Sequence, residues 1–163
     1  MNTETATAWF DCLSPALEEE MIGAWRGEEV PTGHPMDGLL AASRWSGKRF
    51  EGTEAVHPLI HDVPFWGERS LNPRFLPLGL IVGLPGRDAL LRATFPLLAP
   101  IFFTSKPRAR LRTLRFRGRE HAAMCYDDKP IHDVFARIDD NSVLGWMDFK
   151  GMAQPYFFKL TRQ

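Results

Sequence analysis

The chain has 163 residues, 44% hydrophobic and 25% charged, enough to bury a core and unlike the composition of disordered or fibrous proteins. Lys and Arg total 20 and Asp and Glu total 20, so no molecule-wide field draws nucleic acid or an anionic membrane. Twelve Phe and five Trp against two Tyr predict an interior rich in dry rings, and thirteen Gly with thirteen Pro favour many short elements over a few long helices.

MNTETATAWF carries Glu4 where a secretory signal needs positive charge, and it has no apolar core segment. Export is not expected, and we read the chain as cytoplasmic. Cys12 and Cys125 are then expected to be small buried hydrophobes rather than a disulfide or a metal pair. Ala6, Phe10, Leu13 and Leu17 predict a short helix interrupted at Ser14-Pro15. Met21 to Val30 reads as a strand ending at Pro31-Thr32-Gly33. Asp37 is of N-cap type, and GLLAASRW after it spaces Leu39, Leu40 and Ser43 like a helical face. After Ser46-Gly47, KRFEGTEAVHPLI reads as extended chain with a turn near Glu51-Gly52.

The segment from Asn72 to Ser105 is the most apolar. Its longest uncharged runs, Phe75 to Gly86 and Ala93 to Ser105, fall short of the roughly 20 residues that a spanning helix needs, and prolines interrupt both. Asp88 is expected to cap a helix with Leu90, Leu91, Phe95 and Leu98 on one side, disturbed by Pro96 and Pro100. We favour packing of that helix on the core over a lipid-contacting lid, which would bring peripheral membrane contact.

From Lys106 onward turn signals recur every 8–12 residues, as in antiparallel hairpins. Strands are expected at Arg108–Arg117, Arg119–Tyr126, Ile131–Asp139, Val143–Phe149 and Tyr156–Thr161. Alternation fails at Arg112–Leu114, which predicts a β-bulge. The basic run from Lys106 to Arg119 has no acid within it, and it reads as a solvated outer face paired with Glu120, Asp133 and Asp139 rather than a nucleic-acid site. In Val143–Phe149 two parities compete: one faces Val143, Gly145, Met147 and Phe149 inward, and the other faces Leu144, Trp146 and Asp148. The first is slightly favoured, and the second would bury Asp148 and raise its pKa toward that of an acid catalyst.

Gly23-Ala24-Trp25-Arg26-Gly27, followed by PTGHPMDGLL and GKRF and later by MCYDDKPIHDVFARID, VLGWMDFKG and PYFFKLTR, resembles a bacterial and fungal family. Its members carry a GXWXG domain followed by a domain of unknown function. The likeness runs from about Phe10 to Arg162. A GXW on the first strand also resembles lipocalins and fatty-acid-binding proteins, which implies that Trp25 closes a barrel floor against Arg162. Nitrobindin-like haem proteins are similar in a GXWXGXG string, but Glu29 stands at the third glycine and no His follows His132, so haem is not expected.

The combined expectation is one mainly β domain over 1–163, a lipocalin-like antiparallel barrel with short capping or flanking helices. It divides into a GXWXG segment (1–62), an apolar helical insertion (63–105) and a meander (106–163). The five His lack metal-ligand spacing, so neither a metal nor a cofactor is expected. The leading function is binding of a small hydrophobic or amphipathic molecule, such as a fatty acid or other lipid, by His34, Lys48, Phe50, Met124, Tyr126, Trp146 and Phe158. The alternative is a cofactor-free acid–base enzyme, an isomerase or cyclase, with His34, Asp37, Lys48 and Asp148 as catalytic candidates. A packed interaction module without a cavity comes third.

Overall fold

The computed structural model describes residues 1–75 and 86–163; most of the uncharged run from Phe75 to Gly86 lies outside them. Its elements in chain order are α1 (Thr3–Cys12), β1 (Ser14–Pro15), α2 (Glu18–Met21), β2 (Gly23–Glu29), α3 (Leu39–Ala42), β3 (Trp45–Gly52), β4 (Ala55–Val63), β5 (Gly67–Ser70) and α4 (Arg87–Leu98). β6 (Ala109–Phe116), β7 (Arg119–Tyr126), β8 (Ile131–Asp139), β9 (Ser142–Phe149) and β10 (Tyr156–Arg162) follow.

All strand pairs are antiparallel, in the order β8-β7-β6-β4-β3-β2-β10-β9, and β9 pairs again with β8 to close an eight-stranded barrel. The five late strands form the expected meander, and β10 then pairs with β2 so that Arg162 lies opposite Trp25. The Arg162 guanidinium sits 4.4 Å from the Trp25 ring centre, and the Trp25 indole N–H donates to the Met21 carbonyl at 2.7 Å. A cation over a partly desolvated ring is worth about 1 kcal/mol. Trp25 is therefore a closure residue. Gly23 adopts φ +128° with the Arg162 guanidinium close by, and a methyl group at Gly27 would overlap the Trp45 indole. The motif is thus a packing device in which two small positions admit larger partners.

α1 lies on the outer face of the barrel, where fully buried Phe10 packs against the rings of Phe116, His121 and Trp146. This helix explains the broken alternation in β6. The β6–β7 register runs without a shift from Ala109 to Phe116, so the expected bulge at Arg112–Leu114 is absent. Leu114 and Phe116 point outward and still pack on the cluster beneath α1. Register shifts fall instead in β3–β4 and near Arg137 of β8. The same cover buries Leu144 and Trp146 outside, while Val143 and Met147 enter the inner core. The favoured parity of β9 holds, and Asp148 is exposed.

Other local expectations change. Asp37 does not cap α3: its N-cap is Gly38. Asp88 does not cap α4 either, because Gly86 holds that place. α4 buries Phe95 and packs Leu91 on the core, but Leu90 and Leu98 are exposed, as are Leu97 and Ile101. Cys12 is exposed and Cys125 half-buried, both free thiols, because α1 turns Cys12 away from the barrel. The basic run finds different acids: Arg108 pairs with Asp128, Arg110 with Asp127, Arg112 with Glu54 and Arg117 with Asp11. Asp133 is not among them, because it points into the barrel. No helix among the described residues is long and apolar enough to cross a membrane.

Candidate functional site

At the end of the barrel covered by α3 and α4, the inner core opens into a cavity of about 90 Å³ as bounded by the described residues. α3 contributes Leu39 and Leu40, and α4 contributes Leu91 and Phe95. The strands contribute Trp45, Leu59, Ile131, Met147 and Phe158. This is an apolar wall of the kind that binding sites use to exclude water. This volume is below the roughly 300–1,000 Å³ of pockets that hold drug-sized ligands.

Five polar side chains reach this cavity from different strands: Lys48 of β3, His61 of β4, Tyr126 of β7, Asp133 of β8 and Tyr156 of β10, whose hydroxyl donates to Glu29; Ser43 joins them from the end of α3. Lys48 Nζ lies 2.8 Å from Asp133 Oδ2, with side-chain exposures of 3% and 1%. Lys48 also donates to the Pro58 carbonyl at 3.2 Å. Its ammonium group is 4.9, 5.5 and 5.7 Å from the ring centres of Phe158, Trp45 and Tyr126. Burial pushes the Asp133 carboxyl up and the Lys48 ammonium down, and each charge partly restores the other. Asp133 Oδ1 is buried with no hydrogen-bond partner among the described residues. Burial also raises the Tyr126 phenol, with the Asp133 charge adding to it. Burial, and less strongly Lys48, pulls His61 down to about 3; its Nε2 lies 3.3 Å from Ser43 Oγ. At neutral pH His61 is therefore an uncharged imidazole.

The expected site residues divide sharply. Lys48, Tyr126 and Phe158 line the cavity. Phe50 and Met124 are core side chains that do not line it among the described residues. Trp146 is turned to the outer face, against Phe10, Phe116 and Phe157, and Asp148 faces solvent. His34 is buried but lies in the turn: its Nδ1 accepts from the Met36 N–H at 3.0 Å, and its Nε2 faces the Gln154 carbonyl at 3.2 Å. Burial depresses its pKa. Asp37 Oδ2 accepts from the backbone N–H groups of Thr32, Gly33 and His34 at 2.8–3.0 Å and so organises that turn; it does not line the cavity among the described residues, and its Oδ1 is buried with no hydrogen-bond partner among them.

Three contributors were not anticipated. Asp133 could have been found from Ile131, Asp133 and Phe135, which share one strand face; an acid between two inward apolar residues is itself inward. His61 follows the same logic with Leu59 and Val63. Glu29 is the third: its Oε1 accepts from the Leu40 N–H and the Tyr156 hydroxyl, each at 2.7 Å, and its Oε2 from the Gly38 N–H at 3.0 Å. It ties α3 to the barrel rim, and the notable sign was a carboxylate at the end of an otherwise short strand. No group of three or more His, Cys, Asp or Glu among the described residues is placed to hold a metal ion.

Residues 8–63 match the model of a family described as GXWXG protein, and residues 107–162 match that of a domain of unknown function, DUF4334. The chain is 31% identical to a protein from Thermomonospora curvata known from a crystal structure, with a TM-score of 0.75 over 100% of this chain and 88% of that one. No curated protein matches.

Proposed function

The chain belongs to the GXWXG protein family, and from that premise and the cavity beside its buried ion pair we propose that it binds a compact, mainly apolar small molecule inside the barrel. The observation that carries this reading is an apolar chamber into which a Lys–Asp pair projects from opposite strands. An ion pair is costly to desolvate and seldom adds net stability over apolar packing, so its retention at a void supports a recognition role. The likeness of Trp25 and Arg162 to the lipocalin floor supports the same reading, since it leaves the other end for a ligand. Two free thiols fit the cytoplasmic placement.

Leu39 sits on α3 at the cavity wall, and Leu39→Trp would fill the chamber. Native mass spectrometry of protein purified without detergent should show a small-molecule adduct on the wild type and none on this variant. Absence of an adduct from both proteins would count against binding. The acid–base enzyme is the second reading, favoured by the convergence of Lys48, Asp133, His61 and Tyr126 on one chamber. Under it the extracted molecule changes chemically on incubation with wild type but not with Asp133→Asn, whereas a carrier returns it unaltered.

A further inference from the structure

We propose that the molecule this cavity accepts is electrically neutral and carries a hydroxyl or N–H group that donates to Asp133, which makes it a compact alcohol, phenol or amide rather than a carboxylic acid. The inference rests on the binding reading above and narrows it to a chemical class.

The positive charge in the chamber is already matched. Lys48 gives one N–H to Asp133 Oδ2 at 2.8 Å and another to the Pro58 carbonyl at 3.2 Å, and its remaining surroundings are the rings of Phe158, Trp45 and Tyr126. A fatty-acid carboxylate entering here would place a second anion beside Asp133 in a desolvated space, with no unmatched cation at Lys48 to receive it. A cationic amine would meet the ammonium group of Lys48 in the same way. What Asp133 lacks is a second donor. Asp133 Oδ1 has no partner among the described residues, and an ionised acceptor left unsatisfied in the interior costs more than a neutral one. Asp133 lines the cavity, so a small rotation of its carboxyl group brings Oδ1 to a donor seated there. The uncharged His61 and the hydroxyls of Tyr126, Tyr156 and Ser43 add no net charge to the chamber, and apolar side chains supply the rest of the wall.

Three one-ring probes of matched shape separate the possibilities: phenol, toluene and benzoate, titrated at neutral pH with binding read by protein NMR shifts. Phenol is expected to bind about tenfold more tightly than toluene or benzoate, the scale of one charge-assisted hydrogen bond. Benzoate binding as tightly as phenol would overturn the neutral-donor assignment and leave cavity binding standing. Toluene equal to phenol would do the same, since Asp133 would then contribute nothing. No shift at cavity residues with any of the three would remove both the assignment and the binding reading beneath it. In Asp133→Asn, Lys48 loses its counter-charge, and the order of phenol and benzoate should reverse. If that variant does not fold, the double variant Lys48→Met with Asp133→Leu carries neither a charge to bury nor an acceptor at that position. It should bind phenol and toluene equally, and a phenol preference retained there would refute the role given to Asp133.

Discussion

Gly27 and Trp45 set the shape of the site through a single exclusion: the backbone of β2 has no side chain where the indole of β3 lies. Gly27→Ala is expected to destabilise the fold by about 1–3 kcal/mol through overpacking, read as a lower urea midpoint, and to shift Trp45 into the cavity. His61 carries a second prediction. Its folded pKa of about 3 lies below its ordinary value of 6.5, so the unfolded chain binds the proton more readily. The stability it contributes is complete above about pH 6.5 and is lost as pH falls toward 3, at up to about 1.4 kcal/mol per pH unit. His34 and His121, also lowered by burial, act in the same direction. His61→Gln should flatten the fall in melting temperature between about pH 6 and pH 4; an unchanged slope would mean that this imidazole gains its proton without unfolding. At this scale sequence reading reached Lys48, Tyr126 and Phe158 because each type carries an obvious pocket chemistry. It missed Asp133 because an acid near a basic run looks like a surface partner until strand parity is weighed.

Among the elements, the late strands were the most legible, since their turns are spelled out by Gly118, by Asp127 to Pro130 and by Asp140 to Ser142. β9 was ambiguous for a physical reason. A helix lying across the outside of a barrel makes both faces of the strand beneath it apolar, and period-2 alternation disappears. α1 causes that ambiguity, and its weight can be measured: Phe10→Ala removes a fully buried ring and is expected to cost about 3–5 kcal/mol in chemical denaturation. The surface pair Arg117–Asp11, bidentate at 2.6 Å but well exposed, should be worth no more than about 1 kcal/mol. Arg117→Ala should therefore destabilise less than Phe10→Ala by a clear margin. α4 was read as a helix correctly and its face only in part, since Leu91 and Phe95 meet the core while Leu90 and Leu98 do not. Leucine spacing alone cannot say which side meets the core when apolar residues surround the whole axis, and here the leucines at 90, 97 and 98 are left outside.

Across the whole barrel the pairing is uneven. β4 and β6 meet through the single pair Val56–Ala109, supported by the Arg108 N–H to the Val56 carbonyl at 2.9 Å and the Leu111 N–H to the Thr53 carbonyl at 2.7 Å. β8 and β9 share a ladder from Ile131 to Asp139. Backbone amides of Arg108 and Leu111 should accordingly exchange with deuterium faster than those of the β8–β9 ladder, and equal protection would show that the seam is no weaker than its neighbours. The long crossing from β4 to β6 was visible as an apolar interruption between two strand-rich segments, but nothing local in either segment announced that they complete one ring. The first matched segment supplies β2, β3 and β4, and the second supplies β6 to β10, so neither set closes alone. The junction of β2 with β10 has a consequence for how the chain is made. A ribosome makes Trp25 long before Arg162, at about 5–20 residues per second. Until β10 is translated the nascent polypeptide carries two open sheet edges, β2 and β9, that lack their common partner. A reading frame stopped before Tyr156 would leave both edges open permanently, and its product should accumulate in inclusion bodies rather than in the soluble fraction.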